Sequence, residues 1–186
     1  MKIIAGTAKG TQLKSPEGMN TRPTLGKVRE SIFNVLSNVG LLETNILDIF
    51  AGTGAMGLEA LSRGASTATF IDKVTANVIK ENANRCKFTN KVEILKKEVH
   101  TALKVLQKKH YDYIFMDPPY KKGYVNDIMQ CIFACDLPRD NAIIIVEHSS
   151  FEEIDFEKHA NYCRLWKEKK SGNIIVTYLI CKRLGE

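Results

Sequence analysis

Residues 46–57 read Ile46-Leu-Asp48-Ile-Phe-Ala-Gly52-Thr-Gly54-Ala-Met-Gly57. An apolar strand, Ile46–Phe50, runs into a glycine-rich turn, and a helix is expected to follow as far as about Arg63. The three glycines fit the G-x-G-x-x-G pattern, in which glycine permits a tight turn, close approach of a ligand to the backbone and close packing of the next helix. A tight turn without a ligand is the alternative interpretation. The stretch predicts the first strand, turn and helix of a nucleotide-binding α/β sheet.

Strands and helices alternate along the rest of the chain. This alternation predicts a mostly parallel seven-stranded sheet with helices on both faces. The polar stretch Glu168–Gly172 has turn chemistry, so the last two strands are expected to form an antiparallel hairpin. The expected strands are Ile46–Phe50, Thr67–Ile71, Val92–Leu95, Tyr111–Met116, Ala142–Glu147, Tyr162–Lys167 and Asn173–Cys181, and the helices between them cover Thr75–Lys87, Thr101–Lys108 and Tyr124–Ala134.

A basic extension precedes this sheet. Lys2–Ala5 and Thr11–Lys14 flank a glycine-containing stretch and predict a small β-hairpin. We interpret residues 1–186 as a single domain, with the extension at 1–24 and the catalytic core at 25–186.

The first helix is expected over Leu25–Leu36, where apolar residues recur with a helical period. Thr24 is its expected N-cap. Arg29 and Glu30 predict a charge pair on the helix surface, and contact with a cofactor or substrate is the alternative.

The composition is that of a basic globular protein. Lysine and arginine number 27 against 21 acidic residues, which gives a net charge of +6 and a pI near 9.0. A positive surface attracts polyanions such as nucleic acids. No secretory signal and no run near the roughly 20 apolar residues of a membrane span is apparent. Five cysteines without a Cys-x-x-Cys pair and four scattered histidines predict a reduced, cytoplasmic protein that binds no metal.

The fourth expected strand ends at Asp117-Pro118-Pro119-Tyr120. Neither proline donates a backbone hydrogen bond, and each forces the preceding residue out of the helical region. The chain is therefore stiff and extended, with carbonyl oxygens and a carboxylate as acceptors beside a flat ring. Such an arrangement suits a planar group that carries an amine, and a proline turn that merely ends a strand is the alternative.

Two nucleoside cofactors fit the glycine-rich turn, nicotinamide dinucleotides and S-adenosylmethionine (AdoMet). Asp48 lies inside the strand, and a buried carboxylate is costly unless it is paired. The methionine part of AdoMet offers an ammonium group for that pairing. Asp72, which closes the second strand, is placed to bind ribose hydroxyls. Since Asp117-Pro-Pro-Tyr has no evident role in hydride transfer, the sequence favours AdoMet.

These motifs resemble those of known enzymes. Asp48-x-Phe-x-Gly-Thr-Gly together with Asp117-Pro-Pro-Tyr resembles the class I amino-methyltransferases. The resemblance implies a Rossmann-like class I methyltransferase fold. The N-terminal residues narrow it to the RsmD family, through Met1-Lys-Ile-Ile-Ala-Gly, Lys9-Gly, Leu13-Lys-Ser-Pro, Thr21-Arg-Pro-Thr24 and Val28-Arg-Glu-x-x-Phe-Asn34.

The RsmD resemblance implies methylation of the N2 amine of a guanine in 16S ribosomal RNA, with ribosomal RNA within a small-subunit particle as partner. It implies that the loop after the third strand offers an acid to the adenine amine; Glu98 stands there, where Asp is expected. Residues at the mouth of the site are expected to bind substrate. The implied cofactor residues are Asp48, Phe50, Ala51, Gly52, Thr53, Gly54, Asp72, Lys73, Glu98 and, through its backbone, Val99, and the implied substrate residues are Arg22, Thr24, Arg29 and Pro119.

The expected catalytic residues are Asp117, Pro118 and Tyr120. Hydrogen bonds from the amine to the Asp117 carboxylate and the Pro118 carbonyl would turn the nitrogen lone pair toward the methyl group, and positioning of this kind lowers a barrier by several kcal/mol. Tyr120 would stack on the base, a contact worth about 1–3 kcal/mol, and Asp117 would take up the proton.

Other acceptors fit the same motif. Adenine N6, cytosine N4 and a protein glutamine amide are also planar groups with an NH2. A catalytically silent RNA-binding assembly factor with the same fold, or a nicotinamide-binding protein, is a further alternative.

Overall fold

The structure is a computed structural model. It describes residues 1–16, 23–119 and 123–182, and only the backbone of residues 23–25. Arg22 and Tyr120 lie outside the described residues, as does the side chain of Thr24. Within the described ranges the chain forms α1 (Pro23–Leu36), β1 (Asn45–Ile49), α2 (Ala55–Ser62), β2 (Thr67–Ile71), α3 (Ala76–Arg85), β3 (Val92–Leu95), α4 (Val99–Val105), β4 (Tyr111–Met116), α5 (Tyr124–Ala134), β5 (Pro138–Ser149), β6 (Cys163–Ser171) and β7 (Ile174–Cys181).

The described strands form one seven-stranded sheet in the order β3-β2-β1-β4-β5-β7-β6. Strands β1 to β5 are parallel, and β7 pairs antiparallel with both β5 and β6. This arrangement confirms the predicted mostly parallel sheet with a C-terminal antiparallel hairpin. Strand β1 lies between β2 and β4 in this order. The connection from β1 leads to β2 on one side of it, and the connection from β3 crosses back to β4 on the other side.

Two hydrophobic cores cover the two faces of the sheet. Alternate strand residues such as Phe115 and Ile145 pack against α1, α2 and α3. Their neighbours, such as Met116 and Val146, pack against α4 and α5. Because side chains alternate along a strand, each central strand is buried on both faces, which explains its nearly continuous apolar sequence.

Several element bounds differ from the predicted ones. Helix α1 begins at Pro23, so Thr24 lies within its first turn and is not the N-cap. Proline suits this first position because its missing N–H would have no partner there. Strand β5 extends on both sides of the predicted segment, and β6 continues through Ser171 because the hairpin loop is only Gly172 and Asn173.

The predicted N-terminal hairpin is present as one antiparallel bridge, Lys2 to Gln12, rather than as two strands. The segment is also buried more deeply than an appendage would be, since Ile3 and Leu13 belong to the core on the α1–α3 face. Its backbone N–H groups at residues 4 and 5 donate to the buried Glu59 carboxylate at 2.7 and 3.0 Å. Backbone hydrogen bonds from Ile3 to Thr11, Gly10 to Ile3 and Leu13 to Met1 still join the two arms, and Glu59 fixes the segment on α2.

Candidate active site

The predicted acids meet at one edge of the sheet. The carboxyl ends of the parallel strands lie along this edge, and the strand order reverses beside β1. Open α/β sheets bind ligands in the crevice at such a reversal. Asp48 lies in β1, Asp72 follows β2 and Asp117 follows β4, so the topology brings the three to this crevice.

The turn after β1 has an unusual backbone. Phe50 has φ 60°, and Gly52 and Gly54 have φ 56° and 75°. A side chain larger than hydrogen is disfavoured in this region, and a non-glycine residue there marks local strain of the kind found at ligand sites. Among the described residues, a Cβ placed on Gly52 would meet no atom closer than the Phe50 carbonyl oxygen, at 4.0 Å. The space above the turn is therefore open to a ligand.

The third glycine has a packing role. A Cβ on Gly57 would lie 2.5 Å from the Phe70 ring, so only glycine lets α2 approach the sheet this closely. The approach allows the Gly57 N–H to donate to Asp48 Oδ2 at 2.9 Å.

Asp48 is an acid without a cation. Its side chain is 3% exposed, and the only hydrogen bond it receives from a described residue is the one from Gly57. Burial is the main reason that the pKa of Asp48 rises to about 8; the bond from Gly57 opposes the rise, and the charges of Asp117 and Asp72 contribute to it. A ligand ammonium would remove this penalty. Together with the open space above Gly52, this carboxyl fits the amino-acid part of AdoMet.

Asp72 connects the turn to α3. Its Oδ2 accepts from the Gly52 N–H at 3.0 Å, and its Oδ1 accepts from the N–H groups of Val74 and Thr75, both at 2.8 Å. Three donors still leave lone pairs on the carboxylate for a ribose hydroxyl. Lys73 follows directly and is exposed. The predicted ribose contact is thus joined to a structural role that the sequence did not indicate.

Substitution Asp72→Asn is expected to weaken AdoMet binding by about 10- to 100-fold, since hydrogen bonds to a charged group are worth about 1.5–3 kcal/mol. The amide keeps the shape but replaces one acceptor oxygen with a donor. Isothermal titration calorimetry measures the change. Asp155→Asn, an exposed acid whose Oδ1 accepts from the Lys158 N–H, is the matched control, and an unchanged affinity in Asp72→Asn would refute the assignment.

Glu98 has partners of its own. It is the N-cap of α4, which begins two residues earlier than predicted, and it accepts from the Thr101 N–H at 3.3 Å. Its other oxygen lies 3.2 Å from His100 Nδ1. Val99 is the first residue of α4. The adenine contact of Glu98 stays a prediction, and it would have to share this carboxylate with the helix cap.

Aromatic residues stand beside Glu98. The Tyr124 ring lies 5.6 Å from the Phe50 ring and 6.4 Å from the His100 ring, centroid to centroid. His100 Nε2 lies 2.7 Å from Asp127 Oδ2, and the hydrogen bond with Glu98 raises the pKa of His100, with Asp127 adding to it. These side chains form a wall between the turn and α5 against which a planar ring can pack.

Asp117 lies in a recess. Its surface is exposed, and Pro118 is buried while Pro119 is exposed. Although solvent reaches Asp117, enough protein surrounds it that desolvation raises its pKa to about 6. On the adjacent strand, burial raises the pKa of Glu147 to about 7, and the charge of Asp117 contributes. The carboxyl proposed for catalysis therefore has a second carboxyl beside it.

The expected surface pair of Arg29 and Glu30 is wrong. Arg29 is 5% exposed and donates through Nη2 to the Lys2 carbonyl oxygen at 2.6 Å. Burial lowers its pKa, and its Nε has no hydrogen-bond partner. Arg29 lines a cleft of about 530 Å³ whose exposed cations are Lys2, Lys9 and Lys27. The cleft adjoins the glycine turn, because the Met1 sulfur accepts from Thr53 Oγ1 at 3.8 Å.

Sequence reasoning missed three residues of this region. Glu147 ends the predicted fifth strand with an acid, which is the same signal that identified Asp72 and Asp117. Asn82 donates to the Thr53 and Lys14 carbonyl oxygens and accepts from the Lys14 N–H, so it joins the glycine turn to the N-terminal segment. No sequence pattern marks Asn82 or Tyr124.

In residues 1–16, 23–119 and 123–182, no three His, Cys, Asp or Glu side chains are grouped as metal ligands. No described helix is long and apolar enough to cross a membrane.

Comparison with known proteins gives matches over nearly the whole chain. The family model described as Conserved hypothetical protein 95 matches residues 1–180. The chain is 34% identical over 176 residues to Ribosomal RNA small subunit methyltransferase D of Escherichia coli strain K12, which covers 94% of this chain and 86% of the relative. It is 33% identical over 181 residues to the protein of the same name from Buchnera aphidicola subsp. Acyrthosiphon pisum, with coverage of 96% and 92%. The solved structure of the Escherichia coli protein yhhF superimposes with a TM-score of 0.83 at 30% identity and covers 98% of each chain.

Proposed function

This chain belongs to the RsmD family, whose model covers residues 1–180. We propose that the protein methylates the exocyclic N2 amine of a guanine in small-subunit ribosomal RNA, with AdoMet as the methyl donor. The observation that carries the proposal is Asp117-Pro118-Pro119 at the end of β4, beside the glycine turn and Asp48. The names of the relatives support ribosomal RNA as the substrate. Guanine N2 as the acceptor, and a small-subunit particle as the form of the substrate, rest on the resemblance of the N-terminal residues.

Asp48 and the Gly52–Gly54 turn would hold AdoMet, which would supply an electrophilic methyl group with a neutral sulfide as leaving group. The acceptor amine loses one proton when it takes this methyl group. The protein positions the amine. The Asp117 carboxylate and the Pro118 carbonyl oxygen accept its two N–H bonds, which turns the lone pair out of the base plane. Proline fixes this geometry because its φ is locked. Asp117 then takes the proton.

RNA reaches this edge across the basic cleft. Lys2, Lys9 and Lys27 are exposed around it, and Arg29 forms part of its wall. Phosphate neutralisation by such cations releases counterions and supplies most of the affinity that does not depend on sequence. A base must leave its stack to enter a recess of this kind. The cleft meets the glycine turn through the contact between Met1 and Thr53, and Asp117 is close enough to Asp48, before that turn, for its charge to act there. One RNA segment that follows the cleft would therefore be led toward Asp117.

Replacing Lys2, Lys9 and Lys27 together by Gln is expected to weaken RNA binding by about tenfold and to reduce the slope of log affinity against log salt by about 2. AdoMet affinity should be unchanged, because none of the three lies in the turn. Point substitutions are preferable to deletion of the segment, since Ile3 and Leu13 are part of the core. Filter binding at several salt concentrations measures both quantities.

The matched control removes three exposed lysines from the opposite edge of the sheet. Lys87, Lys91 and Lys108 precede β3 and β4 and are exposed. Equal losses in the two triple variants would mean that the charge acts generally and would contradict a binding surface at the cleft.

Transfer of labelled methyl tests the proposed function. The substrates are small-subunit RNA and assembled small subunits from cells that lack this protein, and the product is digested to nucleosides. We expect N2-methylguanosine at a single position, and comparison of the two substrates gives the assembly stage. Methyladenosine would replace the acceptor while keeping the site chemistry. Absence of transfer to RNA with AdoMet still bound would favour a glutamine amide acceptor or a silent fold.

A further inference from the structure

Asp117 and Glu147 point to the same face of the sheet. Side chains alternate along β4 and β5, and Phe115 and Ile145 both pack in the core on the α1–α3 face. Asp117 is two residues after Phe115, and Glu147 is two residues after Ile145. The strands are parallel neighbours with Met116 aligned to Val146. Asp117 and Glu147 are therefore the next aligned pair, on adjacent strands and on one face.

Glu147 is largely buried and has no described protein partner, although its carboxyl oxygens still reach solvent. It is 9% exposed, and no described residue donates a hydrogen bond to it or forms an ion pair with it. The residue aligned with it on β7 is the apolar Val176. A buried carboxyl that lacks any donor is costly when it is charged. The only described charge that acts on Glu147 appreciably is that of Asp117.

Charged groups on the surrounding elements do not compensate Glu147. Acids lie toward β1 and β2, where Asp117 and Asp72 both act on Asp48. Tyr178 of β7 lies two residues after Val176 on the same face, and its hydroxyl has no described hydrogen-bond partner. Burial raises the pKa of Tyr178 to about 12, so it carries no charge near neutral pH. The other charged and titratable groups described near this part of the sheet have partners elsewhere. Lys169 of β6 donates to Ser31, Arg29 of α1 donates to Lys2, His148 bonds Thr177 on the other face, and Glu152 accepts from Val125.

We propose that Glu147 forms a carboxyl pair with Asp117 that shares one proton near neutral pH, and that Glu147 receives the proton which Asp117 takes from the substrate amine. The second part rests on the proposed methyl transfer. Two close carboxyls titrate as a pair, with the first charge opposing the second. Burial is greater for Glu147, so the pair holds its proton there and leaves Asp117 ionised to accept from the amine.

The proton moves in two steps that balance. The amine N–H bond breaks as an O–H bond forms on Asp117. In the second step Glu147 releases the proton it already holds to water as it takes the proton from Asp117, which restores the starting pair with Asp117 ionised and one proton on Glu147. Glu147 does not touch the substrate in this scheme, and it acts through Asp117 as a positioning and relay residue.

Single-turnover methyl transfer measured from pH 5 to 9 tests the relay. In the wild type the rate should rise in two steps, the first as Asp117 ionises and the second, nearer neutrality, as Glu147 ionises. Glu147→Gln keeps the shape but cannot titrate, so its rate should rise in the first step only and level off several-fold below the wild type. Glu153→Gln, an exposed acid on the next loop, should keep the wild-type profile. A wild-type profile in Glu147→Gln would overturn the relay.

Titration of the ligand-free protein, followed by carboxyl carbon NMR, tests the pair without any methyl transfer. The Glu147 signal should titrate near neutrality in the wild type and at lower pH in Asp117→Asn, where the neighbouring charge is gone. A midpoint in the ordinary range for Glu, or no change in Asp117→Asn, would overturn the pair. If Asp117 and Glu147 titrate as a pair but the protein methylates no RNA, the proposed function would be refuted while the carboxyl pair would still be supported.

Discussion

Asp117→Ala is expected to lower the single-turnover rate of methyl transfer by about 10²- to 10⁴-fold, the range typical for loss of a positioned proton acceptor. The variant should remain folded, because the Asp117 side chain is exposed and receives no hydrogen bond from a described residue. AdoMet affinity should persist and even increase slightly near neutral pH. The reason is that the charge of Asp117 raises the pKa of Asp48, so its removal favours the ionised Asp48 that pairs with an ammonium.

The control for this variant lies on the same strand. Asp112 is at the opposite end of β4, where it accepts from the Asn45 N–H at 2.8 Å and pairs with Arg139 at 3.4 Å. Asp112→Ala removes the same group far from the crevice and should leave the rate unchanged below its melting temperature. Turnover by Asp117→Ala at the wild-type rate would exclude Asp117 as the group that holds the amine.

Asp48→Asn is expected to weaken AdoMet binding by about 10²- to 10³-fold, since removing one partner of a buried ion pair costs about 3–5 kcal/mol. The amide oxygen can still accept from the Gly57 N–H, so the approach of α2 to the sheet is preserved. Calorimetry in buffers of different ionisation enthalpy measures affinity and proton release together. The wild type should release a proton on binding near pH 7, because Asp48 is protonated in the free protein and ionised beside the ammonium. Equal proton release by Asp48→Asn would contradict this assignment.

The same carboxyl determines a dependence of stability on pH. The pKa of Asp48 is about 8 in the folded protein and about 3.9 in an unfolded chain. The folded state therefore binds more protons between these values, so the stability contributed by protonated Asp48 is lost progressively as pH rises from about 4 to about 8 and is gone above it. Ligand-free Asp48→Asn cannot ionise, so its melting temperature should exceed that of the wild type at pH 8 to 9. The higher melting temperature of Asp48→Asn and its weaker AdoMet binding would both result from loss of the ionisable carboxyl.

The fold was predictable where the apolar pattern determines it. Strands β2, β3 and β4 and helix α5 have the predicted bounds, because each is a compact apolar run or helical period between polar residues. The ends of β5 and β6 were not predictable from the sequence. Pro138 pairs with Tyr111 across an irregularity in β5 that contains Arg139–Ala142, and the polar Glu168–Ser171 pair with β7. Tertiary pairing overrides local preference at such sites.

The site was predictable where a residue type is unusual for its position. Acids at the ends of β2 and β4, glycines in the turn and an aspartate inside β1 were visible as exceptions to an apolar pattern. Arg29 was not, because a helical period does not distinguish a surface arginine from one whose guanidinium is covered by an N-terminal segment 27 residues earlier. Asn82 likewise depends on contacts with Lys14 and Thr53 that are distant in sequence.

The most direct measurement is a crystal structure of the protein with S-adenosylhomocysteine and a short RNA that contains the target guanine. The guanine should lie outside its stack, with its exocyclic nitrogen at hydrogen-bond distance, about 2.7–3.2 Å, from both the Asp117 carboxylate and the Pro118 carbonyl oxygen. The amino group of the cofactor product should face Asp48. A guanine bound elsewhere, or a carboxylate of Asp117 that contacts only water while the nucleotide is in place, would contradict this arrangement.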